Sequence, residues 1–298
     1  MNRLLEVVAT GPMTTVQDLG RPGRGDLGVG RSGAADRGAL RLANRLVGNP
    51  EGAAALEVTF GGLCVRAHGS LLIALAGAAC PATVTGPLGA RWPIGHHSVE
   101  CLPCGATLQL GPPVRGVRTY LSVRGGLDVP PVLGSRATDV LAGLGPDLPA
   151  PGELLPVGPP PDVFPAVDLA PVPEPADGDL VLEILPGPRD DWFTPDALRV
   201  LCAEPYQVTT DSNRVGIRLR GPVLERAREG ELPSEGMVPG AIQVPLSGQP
   251  TLFLADHPLT GGYPVIAVVR SDDVDRAAQA RPGQRIRFRV ASTTTTPR

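Results

Sequence analysis

A chain of 298 residues exceeds the usual size of one domain and is long enough for two, each with its own core. A formal net charge of -3 and 3% aromatic residues supply neither a basic stripe nor stacking platforms, which argues against nucleic acid as a partner. All 27 basic residues are arginine, so a phosphate-loop lysine, a Schiff-base lysine, a metal-ligating carboxylated lysine and a biotin-accepting lysine are excluded within this sequence.

From the amino end, Met1 to Val8 is interrupted by Glu6, and no later stretch reaches the ~18 uncharged apolar residues that spanning a bilayer requires. A soluble, cytoplasmic protein with no membrane partner is expected. Thr15-Val16-Gln17-Asp18-Leu19-Gly20-Arg21-Pro22-Gly23 then places an amide, a carboxylate and a guanidinium in a glycine-rich loop, the composition of a small-molecule site. Gly23-Arg24-Gly25-Asp26-Leu27-Gly28 is formally a GxGxxG, but no strand and helix frame it at dinucleotide-fold spacing. Ser32-Gly33-Ala34-Ala35-Asp36 opens a predicted helix from Ala35 to Val47, with Leu40, Ala43, Leu46 and Val47 on one face, Asp36 in its first turn and Gly48 as its stop.

Short apolar or β-branched runs separated by Gly and Pro follow: Leu56 to Phe60, Leu71 to Leu75, Ala82 to Thr85 and Val117 to Val123 read as strands of a barrel or sandwich. Cys101-Leu102-Pro103-Cys104, with His96 and His97 upstream, has zinc-like spacing but lacks a second ligand pair, so it reads better as a strand ending in a turn, and no metal is expected. Five cysteines, an odd number, point to reduced thiols, with Cys64, Cys80 and Cys202 in the core.

From Leu144 to Gly178 the sequence becomes Pro-rich and divides the chain: a first β domain over 1–145, an extended or edge-hugging connector over 146–178 and a second β domain over 179–291, followed by a polar tail, 292–298, expected to be disordered. The second half carries strands at Leu180 to Leu185, Val215 to Leu219 and Arg285 to Arg289, and helix starts at Thr194-Pro195-Asp196 and Ser271-Asp272-Asp273. It also carries Arg214, Glu235, Gln243 and Asp256, long or charged groups beside apolar runs that are paired or ligand-facing when buried. No G-x-S-x-G elbow and no His-Glu-x-x-His supplies a nucleophile or a metal.

Thr15 to Arg21, Ser32 to Asp36, Ala43 to Asn49, Leu56-Glu57, Arg118 to Gly126, Gly134-Ser135-Arg136, Ser212 to Gly216, Glu235-Gly236, Gln243 to Pro245 and Thr260 to Pro264 together resemble the biotin-dependent carboxyltransferase family also known as allophanate hydrolase subunit 2. The resemblance implies a mainly β fold of two cyclophilin-like β-barrel domains with a few short helices. It also implies work within a complex, as the C subunit of an ATP-dependent 5-oxoprolinase that converts 5-oxoproline to glutamate, with a KipI-like B subunit and a LamB/YcsF-like A subunit. The alternatives are the carboxyltransferase component of a urea or amide carboxylase, served by biotin on a separate partner, or a non-catalytic KipI-binding regulator. For a small amide substrate, the expected binding residues are Gln17, Asn44, Gln243, Asp256, Thr260, Gly261, Gly262 and Tyr263, and the expected catalytic residues Asp18, Arg21, Asp36, Arg214 and Glu235. Pro258-Leu259 stands where the family carries an amide and a hydroxyl.

Overall fold

A computed structural model describes residues 3–165, 167–230 and 232–291; the tail whose disorder was expected lies outside them. The chain divides into two compact units, one of 1–26 with 31–175 and one of 27–30 with 176–298. Strands dominate both, and three short α-helices interrupt them, as the sequence predicts.

The first unit closes one apolar core between two sheets. One has six strands, in the order Leu154–Pro156, Leu4–Thr10, Leu63–His68, Thr107–Leu110, Ala82–Thr85 and Arg91–Pro93. The other has five, in the order Met13–Gln17, Ala55–Thr59, Arg118–Val123, Leu71–Gly77 and Val99–Leu102. Alternation aims Leu5, Val7, Leu56, Val58, Val65, Ile73, Leu75, Leu108 and Leu121 into the shared core. Within the Pro-rich stretch, Leu154–Pro156 forms an edge strand against Leu4 to Glu6, and residues up to 175 cluster with this unit. The turn after Val99–Leu102 is formed at Cys104-Gly105, and Cys101 and Cys104 are exposed.

The five-stranded sheet is unusual on its other face. Cross-strand register places Thr15 opposite Glu57 and Glu57 opposite Tyr120, so these three, with Gln17, Arg118 and Ser122 two positions along their strands, share that face. Helix α1 (Arg37–Leu46) covers it, packing Ala39, Leu40 and Ala43 on Ala55, Ala76 and Tyr120. The helix begins at Arg37, later than predicted, because Asp36 does not join the first turn. It is the N-cap, accepting a bond from Ala39 N at 2.9 Å. Gly48, with φ +72°, stops the helix, and its N–H donates to Arg45 O.

The second unit is built on a closed barrel of seven strands: Leu180–Pro186, Val265–Val269, Ala241–Gln243, Thr251–Phe253, Gly216–Arg220, Tyr206–Val208 and Arg285–Val290. Leu180–Pro186 and Arg285–Val290 pair in parallel, which closes the ring. Helix α2 (Ala197–Ala203) starts after Asp196, three residues beyond the predicted cap at Thr194. Helix α3 (Ser271–Ala277) starts where the sequence places it, and Asp273 accepts a bond from Glu183 N at 2.6 Å. A separate two-stranded ribbon pairs Glu235–Gly236 with Thr260–Gly261.

Candidate functional site

In the first unit, the glycine-rich loop that reads as a small-molecule site grips another part of its own chain. Asp18 is buried, and its carboxylate accepts bonds from Gly20 N, Ser135 Oγ and Arg136 N, each at 2.7 Å. Both oxygens are engaged, so Asp18 positions the 135–136 segment. Gln17 donates through Nε2 to Thr138 O at 2.9 Å, and Arg21 donates through Nη2 to Ala137 O. Three residues of one motif thus hold one segment. Gly145 completes the fit: with φ +92°, its place would put a Cβ 2.1 Å from Ala137 O, so no larger residue is accommodated.

Asp36 and Asn44 are likewise structural. Asp36 caps α1, and Asn44 donates to the carbonyls of Glu51 and Ala53 while its Oδ1 accepts from Asn49. Asn49 in turn ties Val123 O and Gly125 N, so the Ala43 to Asn49 motif staples helix, loop and sheet together. Both side chains are thus engaged by groups of their own chain.

Sequence reasoning missed the buried network beside them. Glu57 accepts bonds from the Tyr120 hydroxyl at 2.6 Å and Ala35 N at 3.0 Å, and lies 3.4 Å from Arg118 Nε. Burial and then the Glu57 charge push the Tyr120 phenol well above its ordinary range, so the hydroxyl stays a donor. The available signal was a lone glutamate inside the apolar run Leu56-Glu57-Val58, which demands a partner when buried.

In the second unit the structure gathers most of the expected residues. Glu235 lies opposite Gly261 in the ribbon, and Arg189 binds both its carboxylate oxygens, with Nε at 2.8 and 3.0 Å. That hydrogen bonding holds the Glu235 carboxyl below the usual glutamate range and raises Arg189. Gln243 donates through Nε2 to Tyr263 O at 3.1 Å, and a Cβ on Gly261 would stand 2.6 Å from the same nitrogen. A side chain at Gly261 would have to displace the Gln243 amide. Arg226, another residue the sequence did not single out, donates to Val244 O at 2.8 Å and lies 5.8 Å over the Tyr263 ring. Glu235, Gln243, Thr260, Gly261, Gly262 and Tyr263 therefore form one polar corner with Arg189 and Arg226.

Arg214 and Asp256 form a buried bidentate pair, Nε to Oδ2 at 2.8 Å and Nη2 to Oδ1 at 3.0 Å, with side chains 2% and 0% exposed. Of the departure at Pro258-Leu259, the Pro258 carbonyl accepts from His257 Nδ1 at 2.8 Å and the Leu259 carbonyl from Met237 N at 2.9 Å. The backbone of that loop is engaged whatever the side chains.

Residues 27–290 match the carboxyltransferase domain, subdomains A and B. The chain belongs to that family. It is 38% identical to the C subunit of 5-oxoprolinase from Escherichia coli over 96% of this chain and 90% of that protein. The fold matches the crystal structure of TTHA0988 with a TM-score of 0.86 and 38% identity, covering 97% of this chain and 55% of that one. It also matches Kluyveromyces lactis urea amidolyase with a TM-score of 0.89 and 31% identity, over 97% of this chain and 19% of that one. The chain thus spans about half of the TTHA0988 chain and a fifth of the urea amidolyase. Among the described residues no helix is long and apolar enough to cross a membrane, and no three His, Cys, Asp or Glu side chains gather as metal ligands.

Proposed function

We propose that this protein is the C subunit of a cytoplasmic 5-oxoprolinase complex that opens 5-oxoproline to glutamate at the expense of ATP, with a KipI-like B subunit and a LamB/YcsF-like A subunit. The observation that carries this reading is the 38% identity to the C subunit of a 5-oxoprolinase, which runs over nearly the whole length of both chains. Gln243, the Gly261-Gly262 backbone and the Arg189-held Glu235 are the groups suited to hold an amide and position a proton. This reading assigns nucleotide chemistry to a partner: Gly23 to Gly28 holds a three-residue 3-10 turn in place of the strand and helix of a dinucleotide fold, and the sequence has no lysine for a phosphate loop.

A second reading, the transferase part of a urea-type carboxylase, is favoured by the likeness to urea amidolyase. Biotin would then be carried on a lysine outside these residues. To separate the two, the tagged protein is isolated from its native cells and its companions are assayed for ATP-dependent release of glutamate from 5-oxoproline. KipI-like and LamB-like companions with turnover support the first reading. A biotinylated companion that carboxylates urea replaces it with the second, and a companion without turnover replaces it with a regulatory role.

A further inference from the structure

The 189–193 and 226–228 segments of the second unit meet at a Phe193–Arg226 bridge, with Ala227 N donating to Trp192 O at 2.9 Å, and bring three arginines together. Two of them are spent: Arg189 binds both carboxylate oxygens of Glu235, and Arg228 Nη2 holds Asp191 at 2.8 Å. Arg226 forms no ion pair among the described residues. Its guanidinium is fixed by two backbone carbonyls, Nη1 donating to Gly230 O at 3.2 Å in an exposed bond and Nη2 to Val244 O at 2.8 Å. Carbonyls orient the fork without cancelling its charge, and each Nη keeps a second N–H. Arg226 also stands 5.8 Å over the ring of Tyr263, whose carbonyl accepts from Gln243, so this charge belongs to the polar corner. Arg226 lines an open groove of about 570 Å³ together with Val223, Leu224, Leu246, Glu225 and Glu229. Val223 is 56% exposed and Leu246 69%, so the groove offers solvent an apolar wall and a preoriented cation.

We propose that Arg226 is a specificity-determining residue that takes the carboxylate of a small monoanionic ligand, whose apolar body packs on Val223 and Leu246. A guanidinium with N–H groups to spare on both Nη atoms can meet both oxygens of a carboxylate, and an apolar wall strengthens those bonds by excluding water. Glu225 and Glu229 line the same groove and repel a second carboxylate, so a ligand with one anionic group is favoured over one with two. Taking that ligand to be 5-oxoproline rests on the oxoprolinase reading above. The lactam carries a ring carboxylate and urea carries none, so Arg226 separates the two by charge.

Calorimetry and protein-observed NMR, on the full-length chain and on the complex isolated with it, compare 5-oxoproline with its carboxamide, which keeps the lactam and loses the charge. The acid is expected to bind tighter by roughly tenfold or more. Arg226→Met is expected to erase that preference while the carboxamide binds as before, and in the complex to raise KM for 5-oxoproline more than it lowers kcat. Arg226→Lys, which keeps the charge and loses the fork, is expected to recover part of the preference. Because Arg226 also ties two carbonyls, Leu246→Glu decides where Arg226→Met fails to fold: a negative charge on the exposed wall is expected to weaken the acid several-fold and spare the carboxamide. Equal binding of acid and carboxamide by wild-type chain and complex, binding of neither, or an unchanged preference in the folded variants overturns the assignment. A complex that still releases glutamate in that case leaves the oxoprolinase reading standing, whereas preference for the acid without turnover overturns that reading alone.

Discussion

At the scale of single residues, the polar groups of this chain sort by whether the protein itself uses them up. Asp18, Asp36 and Asn44 are engaged by donors and acceptors of their own chain, whereas Gln17 and Arg21 retain unmatched atoms. The sequence could place all five in one motif-rich region but could not sort Gln17, Asp18 and Arg21, because their partners, Ser135 to Asp139, are more than a hundred positions away. Arg214 and Asp256 show the energetic side of pairing. Removing one partner of this buried pair, as in Arg214→Met or Asp256→Leu, breaks the bidentate contact and is expected to cost about 3–5 kcal/mol. Replacing both together should restore most of the loss. Chemical denaturation of the two single variants and the double variant checks this. Single variants that unfold at the wild-type midpoint would show that the pair is not buried as described.

At the scale of elements, strand and helix identities were largely legible, because apolar periodicity and Gly punctuation record them. Starts were less so: α1 and α2 both begin later than predicted, since Asp36 and Asp196 sit at the cap position and not inside the helix. Asp36→Ala removes the side-chain acceptor for Ala39 N and is expected to cost about 1 kcal/mol, read as a fall in Tm of roughly 2–4 °C. The polar face of the five-stranded sheet was legible only as the lone Glu57 in an apolar run. Thr15, Glu57 and Tyr120 meet only through cross-strand register, which no local pattern encodes. Gly145→Ala probes the clamp in the same unit. The added Cβ meets the Ala137 carbonyl, and the substitution is expected to destabilise this unit and perturb the NMR signals of Arg21 and Gln17.

At the scale of the whole molecule, stability should fall in two steps on acidification. Burial holds His96 below the ordinary imidazole range, and burial followed by the nearby His96 does the same for His97. The unfolded chain therefore takes up protons that the folded chain refuses, so stability present above a pH of about 6.5 is lost as pH falls below it. The arginine-bound carboxylates of Asp179, Glu183 and Glu235, all held below their usual range, add a second loss below a pH of about 4.5. Thermal melts from about pH 8 to about pH 2 should show both, and His96→Asn should shrink the first alone. Function is legible on this scale for a related reason: many ordered matches along the full chain identify the family, while the residues that act depend on contacts folding creates.

The most direct measurement is glutamate release from 5-oxoproline and ATP by purified KipI-like and LamB-like subunits, with and without this chain added back. Turnover that appears only when the chain is present is the expected result. Equal turnover in its absence, or none with all three subunits present and folded, would contradict its assignment as the C subunit.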